Sequence, residues 1–152
     1  MTTVAPITPG HPAFDRVAEL FDGYRVHYGQ PPDPERTRTW LREQITQGGL
    51  VVAAAGSSGL ITATVMPASL TLGTVWSIRD LYVAPGHRRG GVARALVAHI
   101  VARARAAGAR RVSLQTETGN VPALALYTGL GFRPVTGLEL LNLTFEPSGP
   151  RP

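Results

Sequence analysis

The sequence predicts a mixed α/β fold with one central sheet of about seven strands flanked by about four helices. Segments with apolar residues at every third or fourth position occur near the N-terminus and again after residue 90, which indicates amphipathic helices. Short apolar runs bounded by glycine-rich turns lie between them and indicate strands. The 152 residues suit a single domain, which we place at residues 1–145, with a flexible Pro/Gly-rich tail at residues 146–152.

The N-terminal part of the chain predicts a strand at residues 2–7 followed by two helices. Residues 12–28 carry aromatic and aliphatic side chains at helical spacing, and Gly29 with the prolines after it ends this first helix. Asp33 offers an N-cap for the second helix, and Pro34 suits its first position. We end that helix near residue 47. Its predicted inward-facing residues are Trp40, Leu41 and Ile45.

The rest of the chain predicts strands interrupted by two helices. Residues 50–55 and 60–66 flank a Gly-Ser-Ser-Gly turn, which is typical of a hairpin. The further strands are placed at residues 75–83, 112–116, 132–135 and 138–145, and the helices at residues 91–107 and 122–130. The strand–helix–strand order in the middle predicts a parallel pair of strands, whereas the hairpins predict antiparallel pairs elsewhere.

The composition excludes several kinds of site. There is no cysteine, which removes disulfides, thiolate metal sites and a cysteine nucleophile. All 15 basic residues are arginine, so neither a lysine Schiff base nor a Walker A loop can form. The four histidines are scattered, so we expect no metal site. No apolar run reaches about 18 residues and no signal-peptide pattern is present, so we expect no membrane partner and a cytoplasmic location.

A basic, glycine-rich loop joins a predicted strand to a predicted helix after residue 83. A helix start carries unpaired N–H groups and a partial positive charge, and glycines let an anion approach the backbone. Arg88, Arg89 and Arg94 add fixed positive charge there. The pattern predicts a diphosphate site. The alternative is a tight helix entry with solvated arginines.

The net charge of +5 and the isoelectric point near 10.7 are also typical of nucleic-acid binders. However, many of the arginines fall between residues 88 and 111, where an anionic cofactor and helix-end charges account for them. No aromatic residue is interleaved among them as a stacking platform requires. We therefore expect a small-molecule partner and no nucleic acid.

Two motifs lie at the basic loop and at the last predicted helix. The first is the run from Ile78 to Pro85 followed by Arg88-x-x-Gly91-x-Ala93, between a predicted strand and a long predicted helix. The second is Asn120-x-x-Ala123-x-x-Leu126-Tyr127-x-x-x-Gly131-Phe132. The first resembles the signature, and the second a helix landmark, of the GNAT superfamily of N-acetyltransferases. The motifs span about residues 75–135 and indicate a small single-domain member. The segment from Tyr24 to Gln30 and the stretch from Trp76 to Asp80 also resemble the polyamine-acetyltransferase branch.

This resemblance implies a GNAT-like acyl-CoA N-acyltransferase fold that uses acetyl-coenzyme A as co-substrate and no metal. It implies that backbone amides of the basic loop cradle the diphosphate and that the preceding strand pairs with the pantetheine arm. It further implies that Asn120 contacts this arm or stabilises its loop, and that the hydroxyl of Tyr127 points at the sulfur. The implied cofactor-binding residues are Leu81, Tyr82, Val83, Arg88, Arg89, Gly90, Gly91, Val92, Ala93, Arg94, Asn120, Ala123 and Tyr127.

The expected reaction is direct attack of a small-molecule primary amine on the thioester, because no cysteine is present to carry the acetyl group. An alkyl amine is almost entirely protonated at neutral pH, so the site needs a proton acceptor. Asp80 is the first candidate and Glu117 the second, although either could instead hold a cationic substrate. Tyr127 occupies the position of the superfamily's general acid. Since a free tyrosine has a pKa of about 10 and a thiol about 8.5, Tyr127 is better suited to hydrogen-bond the developing thiolate.

The acceptor site is predicted at the first two helices and the middle strand, with Tyr24, Arg25, Tyr28, Trp76 and Asp80 as candidates. Aromatic residues near an acidic group suit a cationic amine, whereas an accessible Arg25 suits an acceptor with a carboxylate. The sequence alone leaves open an acceptor amine on a protein, and also a non-catalytic acyl-CoA-binding module. Neither the acceptor nor the preferred acyl group follows from it. The resemblance also suggests a homodimer formed through residues 138–145.

Overall fold

The computed structural model describes residues 2–145, so the predicted tail at residues 146–152 lies outside the described residues. Within this range one sheet is built from five strands: β1 (Ala5–Pro6), β2 (Val51–Ala55), β3 (Gly59–Ala68), β4 (Gly73–Val83) and β5 (Val112–Ser113). The α-helices of the same range are α1 (Phe14–His27), α2 (Pro34–Thr46), α3 (Val92–Ala106) and α4 (Val121–Gly129). The predicted α/β class and the four helices are confirmed.

The strands follow one another across the sheet in chain order. β1 to β4 pair antiparallel, and β4 pairs with β5 in parallel through Trp76–Val112 and Ser77–Ser113. Helix α3 connects these last two strands, so the predicted parallel pair is confirmed. Beyond Ser77, β4 continues for six residues without a partner from β5.

The prediction of about seven strands is wrong for the described residues, which contain five. Residues 132–135 and 138–145 form no strand, and β5 ends at Ser113 rather than near residue 116. Apolar alternation alone cannot make a strand, because the backbone also needs a hydrogen-bonding neighbour. The short β5 offers almost no edge for such pairing. Pro134 lacks an N–H donor, and Gly137 adopts a φ of +82°, which further interrupts this segment.

Helix α2 begins as its sequence predicts, and two of its three predicted inward residues, Leu41 and Ile45, pack into the core. The Asp33 side chain accepts a hydrogen bond from the backbone N–H of Arg36 at 3.2 Å, so the predicted cap is confirmed. Leu41 is 1% exposed and belongs to the core. The inward placement of Trp40 is wrong, because it is 44% exposed and stacks on Phe21 with ring centroids 6.1 Å apart.

The sheet carries a separate apolar cluster on each face. On one face α3 packs through Leu96, Val97 and Ile100 against β2, β3 and β4. On the other face α1 and α2 pack through residues such as Val17 and Leu41. No helix within residues 2–145 combines the length and the apolar character needed to cross a membrane.

A β-bulge interrupts β4 at Arg79. Thr62 pairs with Asp80, but the next residue of β3, Ala63, pairs with Ile78, so Arg79 is an extra residue in the strand. Before the bulge, Trp76 and Ile78 face the α3 cluster. After the bulge the alternation is reversed, and Asp80 points towards α1. In a regular strand the even spacing of Trp76 and Asp80 would have placed both side chains on one face.

Candidate active site

A pocket of about 460 Å³ lies between α1, α2 and β4. It brings together predicted acceptor-site residues that are far apart in the sequence. Its lining consists of Phe21, Tyr24, Arg25, Gln30, Asp33, Arg36, Thr37, Trp40 and Asp80. The site is therefore concave, with aromatic side chains in its walls, and it contains the acidic side chain of Asp80 and two arginine side chains. Asp33, whose side chain caps α2, also belongs to the lining.

Two hydroxyl groups hold the carboxylate of Asp80 in the pocket. The Tyr24 hydroxyl donates to Oδ1 at 2.8 Å, and the Thr62 hydroxyl donates to Oδ2 through a short hydrogen bond. Burial raises the pKa of Tyr24, and the hydrogen bond to Asp80 raises it further, so this phenol stays protonated and remains a donor. Asp80 therefore has a fixed orientation while its remaining lone pairs can accept from a ligand.

A buried carboxylate, Asp22, connects the elements that form the pocket wall. Its Oδ1 accepts from Arg25 Nη1 at 2.6 Å and from Thr37 Oγ1 at 2.8 Å. The backbone N–H of Asp33 lies 3.2 Å from both of its oxygens. Asp22 thus ties α1 to the start of α2 and to the chain between them.

Opposing effects act on the ionisation of Asp22, which is 7% exposed. Burial on its own raises the pKa of this carboxyl group. The hydrogen bonds from Thr37, the Asp33 backbone and Arg25 outweigh it, together with the charge of Arg25, so the pKa lies below its ordinary value. Asp22 is therefore a negative charge at neutral pH, and its pairing with Arg25 is the single salt bridge among residues 2–145.

The other predicted acceptor residues are divided between the pocket and the core. Tyr28 is 68% exposed and packs edge-on against Tyr24 with ring centroids 5.2 Å apart, so it lies beside the pocket. Trp76 is 6% exposed and belongs to the α3 cluster, with the Arg103 guanidinium 5.8 Å from its ring centre. The pocket lining does not include Trp76, because the bulge at Arg79 separates it from Asp80.

The basic loop after β4 is shaped to leave backbone N–H groups free at the start of α3. A short 3-10 helix, Pro85–His87, is followed by Arg89 and Gly91 with φ values of +65° and +80°. Gly91 is the N-cap of α3, and no side chain caps this helix start. The first helical turn contains no acidic residue either. These free donors and the positive end of the helix dipole suit an anion.

The arginines of this loop supply charge that no acidic group of the described chain neutralises. Arg88 donates from Nε to the carbonyl of Val83 at 3.1 Å, with its guanidinium carbon 6.0 Å from the centre of the Tyr82 ring. The Arg94 guanidinium lies beside Gly129 at the end of α4, with Nη1 3.6 Å from where a Cβ would stand. None of them belongs to a salt bridge in residues 2–145.

The remaining predicted cofactor residues lie on β4 beyond Ser77 and around the start of α3. Leu81 and Val83 pack against the α3 cluster, whereas Tyr82 contacts Tyr24 on the opposite face, with ring centroids 5.5 Å apart. Val92, the first residue of α3, is buried, Ala93 follows it, and Gly90 lies two residues before it in the loop. The unpaired length of β4 therefore lies next to the basic loop.

Helix α4 contributes the predicted tyrosine. Asn120 caps the helix through its Oδ1, which accepts from the N–H of Ala123 at 3.3 Å, so its side chain stabilises the loop. Tyr127 is half-buried and packs on Phe132 with centroids 5.9 Å apart. Burial raises the pKa of Tyr127, and Tyr28 adds to this effect from nearby. A raised pKa makes the phenol a weaker acid but leaves it a hydrogen-bond donor.

Glu117 lies apart from the other candidates. It is exposed in the turn before α4, where its carbonyl accepts from the N–H of Asn120 at 3.0 Å. Within residues 2–145 its carboxylate takes part in no salt bridge and no side-chain hydrogen bond. The pocket lining does not include it.

Sequence reasoning missed three polar residues that organise this site, namely Asp22, Thr37 and Thr62. The spacing of Asp22 and Arg25 by three positions on a predicted helix was a detectable signal of an ion pair. The contact of Thr62 with Asp80 depends on the register of β3 and β4 and on the bulge, for which the sequence offers no comparable signal. Arg36 was also missed as a pocket residue.

Comparison with known proteins places the chain among acetyltransferases. The model of the acetyltransferase (GNAT) family matches residues 14–132. A mycothiol acetyltransferase of Cellulomonas flavigena is 35% identical over 108 residues, which are 68% of this chain but 31% of that protein. An uncharacterized N-acetyltransferase of Bacillus subtilis, YhfO, is 28% identical over 125 residues, which are 80% of this chain and 84% of that protein. The chain thus spans less than a third of the first relative and most of the second.

Solved structures agree with the family match. The crystal structure of a probable acetyltransferase superposes with a TM-score of 0.86 at 28% sequence identity. The superposition covers 96% of this chain and 99% of that one. The arrangement of sheet and helices described above is therefore also present in the crystal structure of that probable acetyltransferase.

Proposed function

Because the chain belongs to the acetyltransferase (GNAT) family, we propose that it transfers an acetyl group from acetyl-coenzyme A to a primary amine of a small molecule. The observation that carries this proposal is the Asp80 carboxylate, which two hydroxyl groups orient inside a pocket. A concave pocket of about 460 Å³ favours a small molecule over a folded protein surface. A cytoplasmic location stays a prediction from the sequence.

The residues around the basic loop fit the coenzyme. The uncapped start of α3 and the cations Arg88, Arg89 and Arg94 suit a diphosphate. The unpaired edge of β4 beyond Ser77 offers backbone donors and acceptors to an extended pantetheine arm. When bound, acetyl-coenzyme A supplies the activated acetyl group, and the chain positions it beside the pocket.

Asp80 is proposed to accept the proton of the amine, directly or through a water molecule. The amine must lose a proton before its nitrogen can bond to the acetyl carbon, and a fixed carboxylate in the pocket is suited to take it. As the nitrogen bonds to the acetyl carbon, the bond from that carbon to sulfur breaks. The Tyr127 hydroxyl donates a hydrogen bond to the departing thiolate until the proton released by the acylated nitrogen neutralises it. The raised pKa of Tyr127 supports this role over full proton transfer. Glu117 is the second proposed base, and its exposed position gives it less support.

The test is thiol release in the presence of acetyl-coenzyme A and a panel of amino acids, polyamines, aminoglycosides and lysine peptides. A chromogenic disulfide reagent reports the released thiol without background, because the chain contains no cysteine. We expect release with one class of small amine. Binding of acetyl-coenzyme A without release from any amine would support a non-catalytic acyl-CoA-binding module instead.

We also propose that residues 138–145 form an interface with a second copy of this chain. Leu138, Leu140, Leu141, Leu143 and Phe145 are each at least 67% exposed in the single chain. Such a run of exposed apolar side chains is typical of an interaction surface. A monomer in sedimentation at micromolar concentration would contradict this proposal, and a dimer that Leu141→Glu dissociates would support it.

A further inference from the structure

Arg25 is anchored through one terminal nitrogen only. Its Nη1 donates to Asp22 Oδ1 at 2.6 Å, and also lies 3.3 Å from both Thr37 Oγ1 and the carbonyl of Pro31. The other two nitrogens make no hydrogen bond within residues 2–145, although the side chain is 27% exposed and lines the pocket. A guanidinium held by one corner can donate from its free edge to a planar, two-oxygen anion.

Asp22 makes this arrangement rigid. The carboxylate that holds Arg25 is itself held by Thr37 and by the backbone of Asp33. A guanidinium fixed in this way loses less side-chain entropy when it binds an anion than a free surface arginine does. Asp22 is therefore a positioning residue for Arg25.

Arg36 places a second cation at the same pocket. It is exposed, and no carboxylate of the described chain forms a salt bridge with it. The Asp33 side chain nearby caps α2 by accepting from the Arg36 backbone. Thus the carboxylates of Asp22 and Asp33 already accept hydrogen bonds from groups of α1 and α2. The carboxylate of Asp80, on the sheet, accepts hydrogen bonds from two neutral hydroxyl groups.

This charge pattern disfavours a polyamine and favours a zwitterion. A second ammonium group would meet Arg25 and Arg36 rather than another unengaged carboxylate. We propose that the acceptor amine also carries a carboxylate, an inference that rests on the proposed function. The free edge of Arg25 binds this carboxylate while Asp80 accepts the proton of the amine. Arg36 strengthens this attraction from the exposed side of the pocket.

The first test compares matched amines with the unaltered protein. Amino acids with the amine at increasing distances from the carboxylate are assayed beside their carboxamides and diamines of equal length. The best carboxylate is expected to have a kcat/KM roughly 10–100-fold above that of its carboxamide, the effect of one or two hydrogen bonds to a charged group. A ratio near one, or a diamine as the best substrate, overturns the inference. A preference for an aminoalkyl phosphate over every carboxylate also overturns it.

Substitutions then show which residues cause the preference for a carboxylate over a carboxamide. Arg25→Lys retains a positive charge for Asp22 but lacks the paired guanidinium N–H donors that bind two oxygens at once. The carboxylate-to-carboxamide ratio of kcat/KM should therefore fall at least threefold, through KM more than through kcat. Arg36→Gln, an exposed change that spares the core, should lower the ratio by a smaller factor. Asp22→Asn should lower the ratio by raising KM for the carboxylate. Arg16→Lys, on the exposed surface of α1, is the matched control and should leave the ratio unchanged.

The outcomes separate this inference from the function on which it rests. If amines are acetylated without preference for a carboxylate, only the inference fails. If no amine of the panel is acetylated, the proposed function fails and the inference fails with it. If Arg25→Lys leaves the carboxylate-to-carboxamide ratio at its original value, a group other than Arg25 recognises the carboxylate. That result overturns the assignment of carboxylate binding to Arg25.

Discussion

The proposed coenzyme-binding (donor) side and the proposed acceptor side of this site are built in different ways. On the donor side, a contiguous loop and the first turn of α3 present backbone N–H groups, supported by exposed arginines. On the acceptor side, side chains from α1, α2, β3 and β4 meet, and the hydrogen bond between Tyr24 and Asp80 joins residues 56 positions apart. One side depends on local conformation and the other on tertiary packing.

This difference predicts how each side responds to mutation. A backbone-made site tolerates changes of side chain but not of φ, because its donors are the same in every residue. A side-chain-made site depends on the identity of single residues and on those that hold them. Coenzyme affinity should therefore be sensitive to glycine substitutions at positive φ, whereas acceptor turnover should be sensitive to Asp80 and its partners.

The largest effect is expected for Asp80→Asn. Loss of the proton acceptor should lower kcat/KM for the amine by roughly 10²–10⁴-fold, with little change in the affinity for acetyl-coenzyme A. Thiol release and calorimetry measure the two quantities. Glu117→Gln is the comparison, and we expect a much smaller loss from it. The opposite order would assign the base to Glu117.

Tyr127→Phe is expected to lower kcat by roughly 10²-fold, because a hydrogen bond to developing negative charge is lost. Burial raises the pKa of Tyr127 above its ordinary value near 10, so the unaltered enzyme should lose no activity through its ionisation up to about pH 9. The pH profile of kcat for both proteins checks this. A tyrosine-dependent fall in activity between about pH 7 and 9 would contradict it.

Gly91→Ala should weaken acetyl-coenzyme A binding about tenfold, because a side chain at a φ of +80° costs about 1–2 kcal/mol and this strain shifts the free loop away from the conformation that binds the diphosphate. Gly90→Ala is the matched control. A Cβ at Gly90 would lie 3.7 Å from the carbonyl oxygen of His87, an ordinary contact, and its φ is not positive. Calorimetry of both variants gives the comparison. Equal losses from the two would indicate that crowding rather than backbone conformation controls the loop.

The smallest effect concerns Thr37→Val, which removes a hydroxyl donor from Asp22. The free energy of unfolding should fall by about 1–2 kcal/mol at neutral pH. The pKa of Asp22 is lower in the folded protein than in the unfolded chain, so its stabilisation is present above about pH 4 and is lost as the pH falls through the folded value. The difference between the two proteins should therefore shrink at acid pH. Urea titrations at about pH 7 and pH 3 measure it, and a constant difference would be inconsistent with this account.

The sequence predicts the short-range features of the site better than its long-range contacts, for physical reasons. The basic loop, the cap at Asp33 and the cap at Asn120 each depend on residues within a few positions of one another. Such local interactions leave a readable pattern. Tyr24, Arg25 and Asp80 were also predicted, but their mutual contacts depend on how α1 lies on the sheet.

The failures share one cause, namely that the outcome depends on partners that no local pattern specifies. Residues 138–145 have apolar residues suited to a strand, yet no strand within residues 2–145 pairs with them. Trp76 was expected beside Asp80, but the extra residue at Arg79 sends the two side chains to opposite faces. Trp40 follows the helical period and is nonetheless exposed, stacked on Phe21.

The bulge at Arg79 divides β4 into two parts that differ in which residue numbers, even or odd, face each side of the sheet. Up to Ile78 the strand presents one set of residues to each face, and from Asp80 onwards the sets are exchanged. Deletion of Arg79 would place Asp80 directly after Ile78, and the two side chains would still point to opposite faces, as regular alternation requires. Leu81 and Val83 would likewise keep their contacts with the α3 cluster. The bulge therefore lets β4 hold one residue more than the regular ladder needs, while Asp80 keeps its place opposite Thr62.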